Sequence, residues 1–215
     1  MALIIGMFDS PFVRRVAVSA RLLGVEFEHR NWSVGRDFDR IREYNPLGRV
    51  PTVVLDDGEV LTESAAILDY LDQQAGPDRA LLPPSGPARR QALQLMALAT
   101  GAAEKGVLQV YEQVFRPEEK RHQPWLDRLN TQMRESLRAL DQACAQRGNA
   151  EALVGSRFGQ ADITVAIIHT FLCDTQGLTP EEYPALHART ARCEARPEFA
   201  AFRVPFFVPG SSNKS

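Results

Sequence analysis

A chain of 215 residues with 44% hydrophobic and 24% charged side chains has a soluble, globular composition and is long enough for one large domain or two small ones. Its formal net charge of −2 leaves no basic surplus to neutralise phosphates, so no nucleic-acid partner is expected. The three cysteines, Cys144, Cys173 and Cys193, are far apart and free of CxxC or Cys/His clustering, which speaks against a disulfide framework and a zinc site and for a reducing compartment.

The opening "MALIIGMFDSPF" has no basic n-region and no cleavage pattern, and no later segment approaches a membrane span, so a cytoplasmic protein without membrane association is expected. Residues 2–7 form an apolar run of strand length. Val13, Val16, Ala20 and Leu23 then recur at the spacing of one helical face, and Gly24 ends the helix. "VEFEHRN" alternates Val25, Phe27 and His29 against polar neighbours and reads as a second strand, completing a βαβ unit. An irregular polar segment spans Arg36 to Tyr44. In "TVVLDDGEVL" two apolar runs meet at Asp57-Gly58, the pattern of an antiparallel hairpin. From Glu63 onward Ala66, Ile67, Tyr70 and Leu71 fall at helical spacing until Gly76-Pro77.

"GPDRALLPPSGPA" has the composition of an inter-domain connection. The expected division is therefore an α/β unit over 1–76, a linker over 77–87, an all-helical unit over 88–205 and a C-terminal tail over 206–215, of which "PGSSNKS" reads as disordered. In the helical half, Leu126, Leu129, Met133, Leu137, Leu140 and Cys144 repeat every three or four residues. Another helix starts in "RFGQADITVAIIHTFL", with Gly159 as N-cap, Asp162 at the third helical position, and Phe158 and Ile163 spaced as a hydrophobic staple. Pro180, Pro184 and Pro197 suit first turns of short helices. His29, His122, His169 and His187 show no paired spacing, so neither a metal nor a catalytic triad is expected.

A βαβ-ββα unit, a proline-rich connector and an all-helical second half, together with "SPFVRR", "RVPTVV" and "TESAAILDYL" in register, resemble the glutathione transferase family over nearly the whole chain. The resemblance implies a thioredoxin-like α/β domain followed by an all-α bundle. It also implies glutathione as co-substrate with no other cofactor, and a homodimer. Phe8 to Phe12 contain no tyrosine, so the tyrosine-type classes are excluded. Ser10 stands at the catalytic position, where other members carry Tyr, Ser or Cys. A hydroxyl there cannot form a mixed disulfide, which removes thioltransferase chemistry; it can donate a hydrogen bond to the glutathione thiolate. Read without the resemblance, Ser10 is an ordinary N-cap with Pro11 at the first helical position.

The same resemblance makes the Val50–Pro51 bond cis, with the Val50 backbone pairing the cysteinyl part of glutathione like an added strand; the plain alternative is a trans proline opening an edge strand. Ser64 would hold the γ-glutamyl carboxylate through its hydroxyl and N–H at a helix N-terminus while Glu63 faces the amino group; alone, the pair reads as a cap with a first-turn acid. For the glycyl carboxylate, Arg49 is the first candidate and Arg36 the second. Phe12, Val107 and Tyr111, with the apolar tail around Phe206 and Phe207, are candidate walls for the electrophile. Phe115 and Trp125 read as packing residues. The resemblance also implies alternatives: a glutathione-dependent isomerase or dehalogenase at the same site, or a non-enzymatic member that serves as a protein-binding module. The chain departs from the family at Gly159, where Ser or Thr is usual.

Overall fold

The computed structural model describes residues 2–206. Four short strands form one mixed sheet in the order β2-β1-β3-β4. β1 (Ala2–Ile5) and β2 (Phe27–Arg30) pair in parallel, Ala2 opposite Phe27, because α1 (Pro11–Leu22) carries the chain back between them. β3 (Thr52–Val54) pairs antiparallel with β1 and, through the Asp57-Gly58 turn, with β4 (Val60–Thr62). The turn is the one its sequence indicates. Gly58 takes φ +88°, and the Asp57 side chain accepts the Glu59 N–H at 3.0 Å. α3 (Ser64–Ala75) follows at once.

α1 explains how the two halves join. Val13, Val16, Ala20 and Leu23, the stripe legible in the sequence, bury against the sheet and the Ile67, Leu68 and Leu71 side of α3. Its other side is also buried, with Val18 packed on Ile163, Ala166 and Ile167 of α6 (Gln160–Gln176) and Ser19 paired with Gln160. α1 is thus covered on both faces, a condition that calls for apolar residues all round and for paired polar ones.

The helical half consists of α4 (Gly86–Val114), α5 (Gln123–Arg147), α6, α7 (Pro184–Glu194) and α8 (Pro197–Ala200), with a 3₁₀ turn at Glu118–Lys120. Leu129, Met133, Leu137, Leu140 and Cys144 of α5 form the expected buried stripe, joined by Ala92, Leu95, Ala99 and Ala103 of α4. α6 lies at the centre, buried on nearly every side from Gln160 to His169. Burial pushes the thiols of Cys144 and Cys173 up to about 11 and that of Cys193 to about 12, so all three are protonated and unreactive near neutral pH.

Several expectations need amendment. The polar segment 36–44 contains a short helix, α2 (Phe38–Arg42), held to the core by fully buried Ile41 alone, too little apolar periodicity to read in advance. α4 begins at Gly86, two residues early, because Ser85 and Pro87 suit a helix start. Pro184 and Pro197 open α7 and α8, whereas Pro180 sits in a turn. Phe115 is 61% exposed and Trp125 42%, so neither is a core packing residue. Phe206 packs edge-on against Phe171, while Phe207 and the rest of the expected tail lie outside the described residues.

Gly159 shows why this chain omits the usual cap residue. A Cβ there would collide with the Leu81 carbonyl oxygen, which also accepts the Gln160 N–H at 2.9 Å. The other half of the cap is present: the Asp162 carboxylate accepts the Gly159 N–H at 3.1 Å. Gly159→Ser, which capping preference alone ranks as stabilising, is therefore expected to lower stability by about 1–3 kcal/mol, read as a fall in Tm.

His169 is 1% exposed, with Nδ1 3.0 Å from the Thr190 hydroxyl. Burial, reinforced by His187, pushes its pKa down to about 4. The unfolded chain binds a proton at this position below about pH 6.5 while the folded one does so only below about 4, so stability rises with pH across that window. Acidifying from pH 6.5 to 4 is expected to remove about 3 kcal/mol through this group. His169→Asn should flatten urea-unfolding stability over that range relative to the parent chain.

Candidate functional site

Three chain segments converge on one cleft: the start of α1, the turn into β3 and the start of α3. Its lining includes Phe12, Asn45, Arg49, Val50, Pro51, Thr62, Glu63 and Ser64. Of the residues singled out in the sequence, Phe12, Arg49, Val50, Pro51, Glu63 and Ser64 therefore lie together.

Each is placed by its local structure. The Val50–Pro51 peptide bond is cis. The loop before it is fastened by Asn45, whose side-chain amide donates to the Arg49 carbonyl at 3.0 Å and to Thr52 Oγ1 at 3.1 Å. Gly6 lies beneath, and a side chain there would strike Val13 at 2.6 Å and Val50 at 2.8 Å, so glycine lets the strand end and the loop close together. Glu63 holds φ +70°, the positive-φ conformation found at no other described non-glycine residue. That conformation costs energy for a residue with a Cβ and is concentrated at binding sites.

Ser10 occupies the N-cap of α1, two residues before Phe12 in the cleft wall. Its carbonyl accepts the Arg14 N–H at 2.9 Å, and its hydroxyl makes no capping hydrogen bond. Pro11 has no N–H to contribute, which leaves the Phe12 and Val13 amides as the unpaired donors of that helix end. Ser64 likewise does not cap α3; it is the first helical residue, fully buried, and its hydroxyl donates to Glu63 Oε1 at 3.1 Å.

The two arginine candidates differ. Arg36 is engaged with Asp37 at 2.9 Å and with the Asn31 carbonyl at 3.2 Å, and is not part of the cleft lining. Arg49 is exposed in the lining itself, and its charge opposes the upward push of burial on the Tyr111 hydroxyl of α4. Tyr111 and Phe115 meet edge-on at 5.3 Å. Phe115 reaches the loop after β2, where a Cβ on Gly35 would sit 3.8 Å from its ring. Phe12 and Val107 are both half-buried against the helical core. Phe115 thus stands beside Tyr111, and its signal in the sequence is the i, i+4 aromatic pair that the two make.

Two residues escaped sequence reasoning altogether. Arg14 and Arg15 are adjacent on α1 and are 3% and 2% exposed. Arg14 makes a bidentate pair with Glu194 at 2.7 and 2.5 Å and donates to the Phe199 carbonyl at 3.0 Å, tying α1 to α7 and α8. Arg15 donates to Ser64. The available signal was that apolar residues flank Arg14 and Arg15 on both faces of α1, which leaves these two no solvent side, whereas Arg21 at the helix end is exposed.

The glutathione S-transferase N-terminal domain model matches residues 4–79, and the C-terminal domain model matches residues 103–197. The fold is that of this group, and the chain belongs to the glutathione S-transferase family. It is 32% identical to a glutathione transferase family member from Pseudomonas fluorescens Pf-5, whose crystal structure has bound glutathione; the match covers 96% of this chain and 100% of that one with a TM-score of 0.84. It is 30% identical over 139 residues to the uncharacterized GST-like protein YibF of Escherichia coli, covering 64% of this chain and 67% of that one. It is 28% identical over 195 residues to a maleylacetoacetate isomerase of Pseudomonas aeruginosa, covering 86% and 87%. Among the described residues, no group of three or more His, Cys, Asp and Glu side chains is arranged to hold a metal ion, and no helix is long and apolar enough to cross a membrane.

Proposed function

We propose that the protein is a cytoplasmic glutathione transferase: it binds glutathione in the cleft and stabilises its thiolate for attack on a small, largely apolar electrophile. The observation that carries this reading is the convergence of Phe12, Arg49, Val50, Pro51, Glu63 and Ser64 on one cleft beside the N-terminus of α1. Bound glutathione in the 32% identical relative supports the same ligand.

In this reading the Val50 backbone pairs the cysteinyl residue, Ser64 and Glu63 receive the γ-glutamyl group, and Arg49 takes the glycyl carboxylate, with Arg36 the weaker candidate because Asp37 occupies it. The sulfur then faces Ser10. A hydroxyl proton and the Phe12 and Val13 amides, at the positive end of the α1 dipole, favour thiolate over thiol. The electrophile enters between the two halves, against Phe12, Val107, Tyr111 and Phe115. Residues 1–76 form the glutathione-binding unit, 77–87 the linker and 88–205 the helical unit, and two copies associate as a homodimer.

Retention on immobilised glutathione and a thiolate ultraviolet band on binding, absent from Ser10→Ala, are the expected results; neither retention nor band would leave a non-enzymatic binding module as the better reading. A monomeric mass in solution would remove the dimer. The second reading, an isomerase using glutathione catalytically, is favoured by the similarity to a maleylacetoacetate isomerase. Turnover of a cis-enone acid without net consumption of glutathione would select it.

A further inference from the structure

The adjacent arginines of α1 are buried alike and partnered differently. Arg14 meets a carboxylate from its own chain, Glu194, through two hydrogen bonds. Arg15 meets neutral hydroxyls: Nη2 lies 2.6 Å and Nε 3.2 Å from Ser64 Oγ, and Nη1 lies 3.4 Å from Thr164 Oγ1 of α6. The acidic side chain that acts on its charge is Glu63, on the far side of Ser64 and exposed to solvent. Burial without a direct ion pair leaves a cation undercompensated, and this one stands directly behind the first residue of α3.

The contact also fixes the polarity of Ser64. A guanidinium donates and cannot accept, so the Ser64 oxygen is filled as an acceptor by two Arg15 N–H groups. Its own proton can go only outward, where it now meets Glu63 Oε1 at 3.1 Å. Ser64 is therefore committed as a donor toward the cleft.

We propose that Arg15 is a positioning residue for a carboxylate seated on Ser64: it orients the hydroxyl as an outward donor and supplies from beneath the charge which that carboxylate neutralises. On binding, the Ser64 proton turns from Glu63 to the incoming carboxylate, which frees Glu63 for the neighbouring ammonium group. This inference rests on the glutathione reading of the cleft, where the carboxylate is that of the γ-glutamyl residue.

Calorimetric titration with S-hexylglutathione and with S-hexyl-cysteinylglycine, which lacks the γ-glutamyl carboxylate, tests it. Arg15→Met is expected to weaken the first ligand about tenfold or more and the second less than about twofold, with Arg15→Lys falling between parent and Met. Because part of the Arg15 effect passes through the Ser64 hydroxyl, Arg15→Met should cost less once Ser64 is alanine, only the charge beneath the carboxylate then being lost. If Arg15→Met does not fold, Arg15→Lys carries the same comparison: selective weakening of the glutathione ligand supports the role. Equal weakening of both ligands, or additivity with Ser64→Ala, overturns it while leaving the glutathione reading intact. A parent protein that binds neither ligand overturns both.

Discussion

Ser10→Ala is expected to lower kcat/KM for glutathione conjugation by about 10–100-fold while leaving glutathione affinity within a few-fold of the parent. The magnitude follows from the loss of one hydrogen bond to a charged sulfur, about 1.5–3 kcal/mol, where the ground-state contacts with the peptide lie elsewhere in the cleft. The pH dependence gives the sharper reading. A bound thiol that loses a donor to its anion has a raised pKa, so the acid limb of the rate profile should move to higher pH by about 1–2 units. At a pH above the raised value the variant should recover much of the parent rate. An unshifted profile would mean that the α1 amides and dipole hold the thiolate without the hydroxyl. Because that hydroxyl makes no capping bond, the variant is expected to keep the parent Tm.

Asp162→Ala is expected to be the most damaging single change to stability, about 3–5 kcal/mol. Asp162 is 1% exposed and accepts three hydrogen bonds: from the Leu153 N–H at 2.8 Å, the Gly159 N–H at 3.1 Å and Arg189 at 3.0 Å. Burial pushes its carboxyl above the ordinary value even against those donors. Truncation leaves two amides without their acceptor and the buried Arg189 guanidinium without its carboxylate, with the Ala150 carbonyl at 3.1 Å as its remaining acceptor. Asp162→Asn keeps an acceptor and should lose less. Adding Arg189→Met to Asp162→Ala should return part of the loss, since removing both charges avoids the orphan; strict additivity in urea unfolding would contradict the pairing.

What the sequence disclosed follows from which forces are local. The α1 stripe at Val13, Val16 and Ala20, the Asp57-Gly58 turn and the Asp162 half-cap depend on neighbours within a few residues, and each can be read from spacing. α2 has a single buried side chain, Ile41, and so leaves no period to detect. Arg14 and Arg15 owe their burial to Glu194, Phe199, Ser64 and Thr164, partners about 50 to 185 positions away that no local pattern announces. Ser10 at the N-cap of α1 and the cleft residues Val50, Pro51, Glu63 and Ser64 are legible only as motifs in register, because alone each is an ordinary cap or turn residue. Phe115 escaped because an aromatic residue at a helix end looks the same in sequence whether it fills a core or overhangs a cleft.

The double coverage of α1 also sets an order on biosynthesis. Its outer face waits for α6 and for Phe202, which returns from near the other end of the described chain to pack against Phe8 and Phe27. Roughly 140 residues separate Ala20 from Gln160, so at about 5–20 residues per second the nascent first half stands with that face uncovered for on the order of ten seconds. Arg14 waits longer still, for Glu194 and Phe199, whereas Arg15 has Ser64 within the first half and lacks only Thr164 over that interval. The half that contains the cleft is made first and completed last.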